Sequence, residues 1–314
     1  MKRECLYVLM GMSLMLASCH EEEAVQSDLR VMLNAGVQEM VQQGARSVDG
    51  VDIHKGTSVA NMNAAVWFSG EDGVYPESNP ALPTFLPYRA NLTYEEGATI
   101  VYTNPTALED PVSYVVEGEE KVYCIGLYPQ TGWTAITDDE GKTVATHAVD
   151  GKQDLMFAAQ QWGTLDRKLG KQTYRHLLSW LKFTVRATAP EAAEDWGKVI
   201  SVKLVDAKGN VSITLGTGEV KFSTGADNDM EALDAPFDLA VAIKDIGSSL
   251  CMPAEKYQLQ ITTEKGKEKI LDLSVGSEGF KAGCLYLVNL YFNPHNDINA
   301  VCSLVPMNEE NVEL

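Results

Sequence analysis

From residue 25 onward, apolar residues recur with a period of two. Leu29, Val31, Leu33 and Ala35 alternate with Arg30, Met32, Asn34 and Gly36. Ile200, Val202 and Leu204 recur through 199–206, Val211, Ile213 and Leu215 through 210–216, and Tyr257, Leu259 and Ile261 through 256–263. Successive side chains of a strand point to opposite faces, so this spacing predicts half-buried antiparallel strands. Further strands are predicted at 64–68, 98–102, 112–116, 120–128, 154–159, 174–187, 237–243, 268–275, 284–292 and 298–305. Lys208-Gly209-Asn210, Lys265-Gly266-Lys267 and Asp139-Glu140-Gly141-Lys142 read as hairpin turns. Helix is predicted only at 35–43 and at 190–196, the latter with Pro190 in its first turn. Many short strands punctuated by turns predict an all-β fold of antiparallel β-sandwich domains.

The polar segment 163–172, with Gly163 and Gly170 around a charged run, predicts a boundary near residue 168. The expected domains are 19–168 and 169–314, each of ordinary domain size. Residues 69–97 contain Gly70, Gly73, Pro76, Pro80, Pro83, Pro87 and Gly97, so long surface loops are expected there.

Residues 1–18 read as an address. Lys2 and Arg3 precede an apolar run from Leu6 to Leu16. That run is too short to span a bilayer as a helix and fits the hydrophobic region of a signal peptide. Leu16-Ala17-Ser18-Cys19 resembles the bacterial lipobox, in which cleavage precedes the cysteine and its sulfur carries a lipid. The alternative is an ordinary secretory signal with an incidental cysteine. Glu21, Glu22 and Glu23 resemble the surface-export signal of Bacteroidota lipoproteins, or form a solvated linker.

Composition narrows the function. The 314 residues carry a formal net charge of −19, and losing Lys2, Arg3 and Glu4 with the signal leaves −20. Nucleic-acid binding needs clustered cations to neutralise phosphates, so that class is excluded from the expectation. Cys124, Cys251, Cys284 and Cys302 lie far apart among apolar neighbours, as small buried hydrophobes do. Their number permits disulfides without identifying a pairing.

The residues present no catalytic motif. His20, His54, His147, His176 and His295 form no zinc-binding spacing, and His176 reads as a core or edge histidine. No phosphate-binding glycine loop or nucleophile elbow occurs. Asp138-Asp139, Glu95-Glu96 and Asp227-Asn228-Asp229 are acidic groups that read as solvated loops. Trp67, Trp133, Trp162, Trp180 and Trp196 serve equally as core residues or sugar-stacking platforms. The expectation is a non-enzyme without cofactor or metal.

Three segments, in order, resemble the fimbrillin family, the type V pilus subunits and fimbrillin-like lipoproteins of Bacteroidota. They are Leu16-Ala-Ser-Cys19, Tyr174-Arg-His-Leu-Leu-Ser-Trp-Leu-Lys-Phe-Thr-Val185, and Phe280-Lys-Ala-Gly-Cys-Leu-Tyr-Leu-Val-Asn-Leu-Tyr-Phe292 followed by a last strand ending at Pro306. Met307 stands where many members have Trp. The resemblance implies two tandem transthyretin-like sandwiches, lipidation at Cys19, and a fimbrial structural or adhesive subunit at the outer membrane. It also implies that an Arg-specific protease removes the first strand and that a strand from another subunit fills the groove.

On this chain Leu29, Val31, Leu33 and Ala35 would be the plugs of the removable strand. Arg46, in Gln43-Gly-Ala-Arg-Ser-Val, is the cleavage candidate, or else a surface arginine. Ile298, Ala300, Cys302 and Leu304 are either a donor strand or the last strand of the protein's own sheet. The implied partners are other fimbrial subunits, like or unlike, the outer membrane through the Cys19 lipid, and a host surface protein or glycan. The alternative function is a surface glycan-binding lipoprotein using Trp67, Trp133 or the loop 69–97.

Overall fold

The computed structural model describes residues 33–37, 62–75, 88–92, 99–100, 120–129, 131–225, 229–231, 236–295 and 297–304. Among them are twenty strands and one short helix, and the fold is all-β. The first sheet has seven strands: β1 (Leu33–Val37), β2 (Met62–Ser69), β3 (Tyr88–Leu92), β4 (Thr99–Ile100), β5 (Val122–Tyr128), β8 (Met156–Gly163) and β9 (Lys171–His176). Their order is β3-β2-β5-β8-β9-β1-β4. A four-stranded sheet completes this sandwich, from β6 (Thr134–Thr137), β7 (Thr143–Val149), β12 (Gly209–Thr214) and β13 (Glu219–Thr224), in the order β13-β12-β7-β6.

The second sandwich is built from the remaining described strands. One sheet runs β16-β10-β19-β20, from β10 (Ser179–Ala187), β16 (Lys244–Cys251), β19 (Leu285–Asn293) and β20 (Asp297–Leu304). The other runs β14-β11-β17-β18, from β11 (Lys198–Val205), β14 (Met230–Glu231), β17 (Lys256–Thr263) and β18 (Glu268–Ser274), with β15 (Phe237–Asp238) also on β11. Helix α1 (Pro190–Trp196) begins at Pro190, and its Trp196 donates from Nε1 to the Asn293 carbonyl at 2.8 Å.

The alternation explains the core. Val202, Leu204, Leu259 and Ile261 are wholly buried, as are Val211 and Ile213 in the other sandwich. Fully burying such a side chain is worth about 1.5–3 kcal/mol. One hydrophobic cluster runs through both sandwiches, from Trp67 and Phe157 to Leu290 and Phe292.

Several expectations change. Ile200 does not share the buried face of Val202 and Leu204: a bulge between Val199 and Ser201 turns it outward, and Val199 packs inside instead. Residues 174–187 are two strands, because the chain leaves the first sheet after His176 and enters another at Ser179. Residues 35–37 are strand rather than helix, and 38–43 lie outside the described residues. Lys208-Gly209-Asn210 is no hairpin turn: the chain crosses there from one sandwich to the other, with Asp206 left-handed at φ 54°. Gly266 and Gly141 do close hairpins, at φ 75° and 76°.

The polar segment 163–172 joins β8 to its neighbour β9 within one sheet. β12 and β13, which follow β11 in the chain, pair into the first sandwich through β7, from Gly209↔Val149 to Thr214↔Val144. Strand pairing therefore runs across residue 168.

A chain ending at Leu178 lacks β12 and β13, leaving one face of the first core open. It is expected to show no cooperative thermal transition by circular dichroism, whereas residues 20–314 show one.

Candidate functional site

The site rests on β1. It lies inside the seven-stranded sheet, parallel to β9 on one side (Asn34↔Lys171 to Val37↔Tyr174) and antiparallel to β4 on the other (Leu33↔Ile100, Asn34↔Thr99). An internal strand is held along both edges by main-chain hydrogen bonds. Taking it out leaves two unpaired edges facing one slot, a template for another strand.

The inner wall of that slot is β9, where Gln172, Tyr174 and His176 are buried and Thr173 and Arg175 exposed. Gln172 donates from Nε2 to the Cys124 carbonyl and lies equally close, at 3.2 Å, to the Cys124 sulfur. Tyr174 lies across Gly126, where a Cβ would come within 2.2 Å of the phenol oxygen, so only glycine admits the ring. Burial, reinforced by Cys124, pushes the Tyr174 hydroxyl pKa up. Gln172 Oε1 and the Tyr174 hydroxyl are buried without a hydrogen-bond partner among the described residues. The wall thus carries unspent polar capacity on the strand that flanks β1.

At the end of β9, His176 Nδ1 meets Asp154 Oδ2 at 2.6 Å, with both side chains 2% exposed. The far atoms of the pair, Asp154 Oδ1 and His176 Nε2, have no hydrogen-bond partner among the described residues. The adjacent Leu177 N–H donates to the Leu155 carbonyl and the Gly283 N–H to Leu178, so the pair sits where the chain passes between sandwiches. Asp154 carries no sequence signal: it precedes a strand as one polar residue among several.

The other candidates are dispersed. Cys19, Leu29, Val31 and Arg46 lie outside the described residues, and Leu33 and Ala35 are on β1. Ile298, Ala300, Cys302 and Leu304 are on β20, which pairs with β19 along its whole length as the last strand of the protein's own sheet. Ile298 is buried, Ala300 and Cys302 are half-buried against the core, and Leu304 is exposed.

Trp67 and Trp133 are 4% and 7% exposed and belong to the core, so neither is a sugar-stacking platform. Of the loop 69–97, residues 76–87 and 93–97 lie outside the described residues, as do Glu95-Glu96 and Asp227-Asn228. Asp138 Oδ1 accepts the N–H groups of Glu140 and Lys142 and closes the β6–β7 turn. Cys124, Cys251, Cys284 and Cys302 are free thiols. Burial pushes Cys124 and Cys251 well up and Cys302 up to about 11. Among the described residues no group of three His, Cys, Asp or Glu gathers at metal-binding distance.

No protein-family model matches the chain, and no curated protein matches it. Solved structures do. A candidate cell adhesion protein from Bacteroides uniformis matches with a TM-score of 0.54 at 15% identity, over 89% of this chain and 98% of that one. A second candidate cell adhesion protein, from Bacteroides ovatus, matches with 0.52 at 15% identity, over 90% and 99%. At this identity the likeness is one of fold, along nearly the whole of each chain.

Two measurements follow from the buried groups. Replacing His176 by Phe strands the Asp154 carboxylate and should cost about 3 kcal/mol in urea unfolding, while pairing it with Asp154→Leu should recover most of that loss. A thiol reagent at pH 8 should label Cys302 slowly and leave Cys124 and Cys251 untouched until the protein is unfolded. Because its pKa is raised, Cys302 gains thiolate with pH, and its labelling rate should rise about a hundredfold between pH 8 and 10.

Proposed function

We propose that this chain is a non-enzymatic structural or adhesive subunit of a surface fimbria, exported as a lipoprotein through Cys19. Cleavage at Arg46 detaches the segment that contains β1, and a strand from another subunit enters the vacated position between β9 and β4. The carrying observation is the internal place of β1 in the seven-stranded sheet, nine residues ahead of Arg46. Strand addition there would draw affinity from main-chain hydrogen bonds and selectivity from alternate side chains. The fold shared with two Bacteroides proteins described for cell adhesion supports the same reading. β20 pairs with β19 in the chain's own sheet, and the entering strand is one from another subunit.

Outer-membrane extracts run on a denaturing gel without boiling, with and without an Arg-specific protease, test this. A heat-labile ladder whose bands begin at Ser47 is expected after proteolysis. A single band that begins at Cys19 and never forms a ladder would reject exchange and leave an anchored subunit. A protein that stays monomeric after loss of residues 20–46 would argue equally against it.

A further inference from the structure

A cavity of about 310 Å³ opens where the two sandwiches meet. Its walls come from four stretches: the end of β11, the last residues of β13, the connection from β16 to β17, and the first residues of β17. Phe222, Met252 and Pro253 supply apolar surface, and Asp206, Lys256 and Gln258 supply polar groups. The volume falls at the lower end of small-molecule sites, which favour junctions of this kind.

We propose that this cavity binds a neutral pyranose, the terminal sugar of a glycan. A pyranose has an apolar C–H face and a belt of hydroxyls, each able both to donate and to accept. The lining offers both halves of that match. Phe222 and Met252 give the apolar face its contact. Lys256 supplies donors only, the Asp206 carboxylate acceptors only, and Gln258 both. Gln258 already donates from Nε2 to Asp272 Oδ1 at 3.0 Å, which leaves its carbonyl oxygen to accept.

Charge selects against acidic sugars. The lining holds one acid and one base, so it has no net charge, while the chain as a whole carries −19. An anion approaching such a surface is repelled before it arrives. A neutral sugar is not.

The walls are also fixed in advance. The Tyr257 hydroxyl donates to the Met252 carbonyl. The Tyr257 ring packs on Phe280 with centroids 4.9 Å apart, and Phe280 exchanges backbone hydrogen bonds with Ala254. On the opposite side the β12–β13 hairpin presses so close that a Cβ on Gly209 would reach Met252 Sδ at 2.9 Å. A preformed site loses little freedom on binding. This assignment stands apart from strand exchange, since the cavity shares no residue with the β1 slot.

The test is saturation-transfer NMR on residues 20–314 with glucose, galactose, mannose, N-acetylglucosamine and glucuronic acid at millimolar concentration. At least one neutral sugar should give signal and glucuronic acid none. Ala254→Phe, which fills the cavity, should abolish that signal, and Lys256→Ala, an exposed change, should weaken binding about tenfold. Ala254→Leu replaces the first variant should it fail to fold by circular dichroism. No signal from any neutral sugar, an equal signal in the filled variant, or a stronger signal from glucuronic acid would each overturn the assignment.

Discussion

The register between β7 and β12 is the constraint on which the molecule depends. Six residues from 209 to 214 pair with six from 144 to 149, although the chain between them has built β8, β9, β10 and β11. That pairing completes the second sheet of the first sandwich and buries Val211 and Ile213 in the core cluster that also holds Phe157 and Leu127. Because β11 before it and β14 after it belong to the second sandwich, the hairpin ties the two together at both ends. The Asp154–His176 pair and the cavity beside Phe222 both lie along this seam. The two sandwiches thus share one core instead of meeting at a thin interface.

Against that shared frame, β1 occupies the opposite condition. It comes early in the chain, its partner β4 contributes two residues, and its pairing among the described residues is confined to β9 and β4. A strand so placed shares no pairing with the β7–β12 register. Gln172 and Tyr174 on the neighbouring strand each keep a buried polar atom without a partner among the described residues, and unmet polar groups cost more in a dry interior than in water.

Local pattern was legible in the sequence, and long-range geometry was not. The alternation at 256–263 and 210–216 identified strands and their buried faces, because period two is a property of each strand alone. Pro190 placed the helix for the same reason. The bulge at Ile200 escaped, since an inserted residue leaves the composition of a strand unchanged. Strand β16 escaped because Gly247, Ser248 and Ser249 interrupt its apolar pattern. The turn at 208–210 has hairpin composition but joins two sandwiches, and only tertiary pairing distinguishes those outcomes. Trp67 and Trp133 were ambiguous between platform and core until burial settled them. Asp154, Gln172 and the cavity depend on neighbours far away in sequence, which no short window contains.

The crossing of the β12–β13 hairpin also orders events in time. β7 ends at residue 149, and its pairing partner β12 is not complete until residue 214. At synthesis rates of about 5–20 residues per second, that interval lasts roughly 3–13 s. Throughout it one edge of β7 has no strand to meet and the apolar face of the first sheet has no cover. A molecule wired in this way is vulnerable as it emerges, and chaperones that shield unpaired strands would govern its yield more than the stability of its finished form.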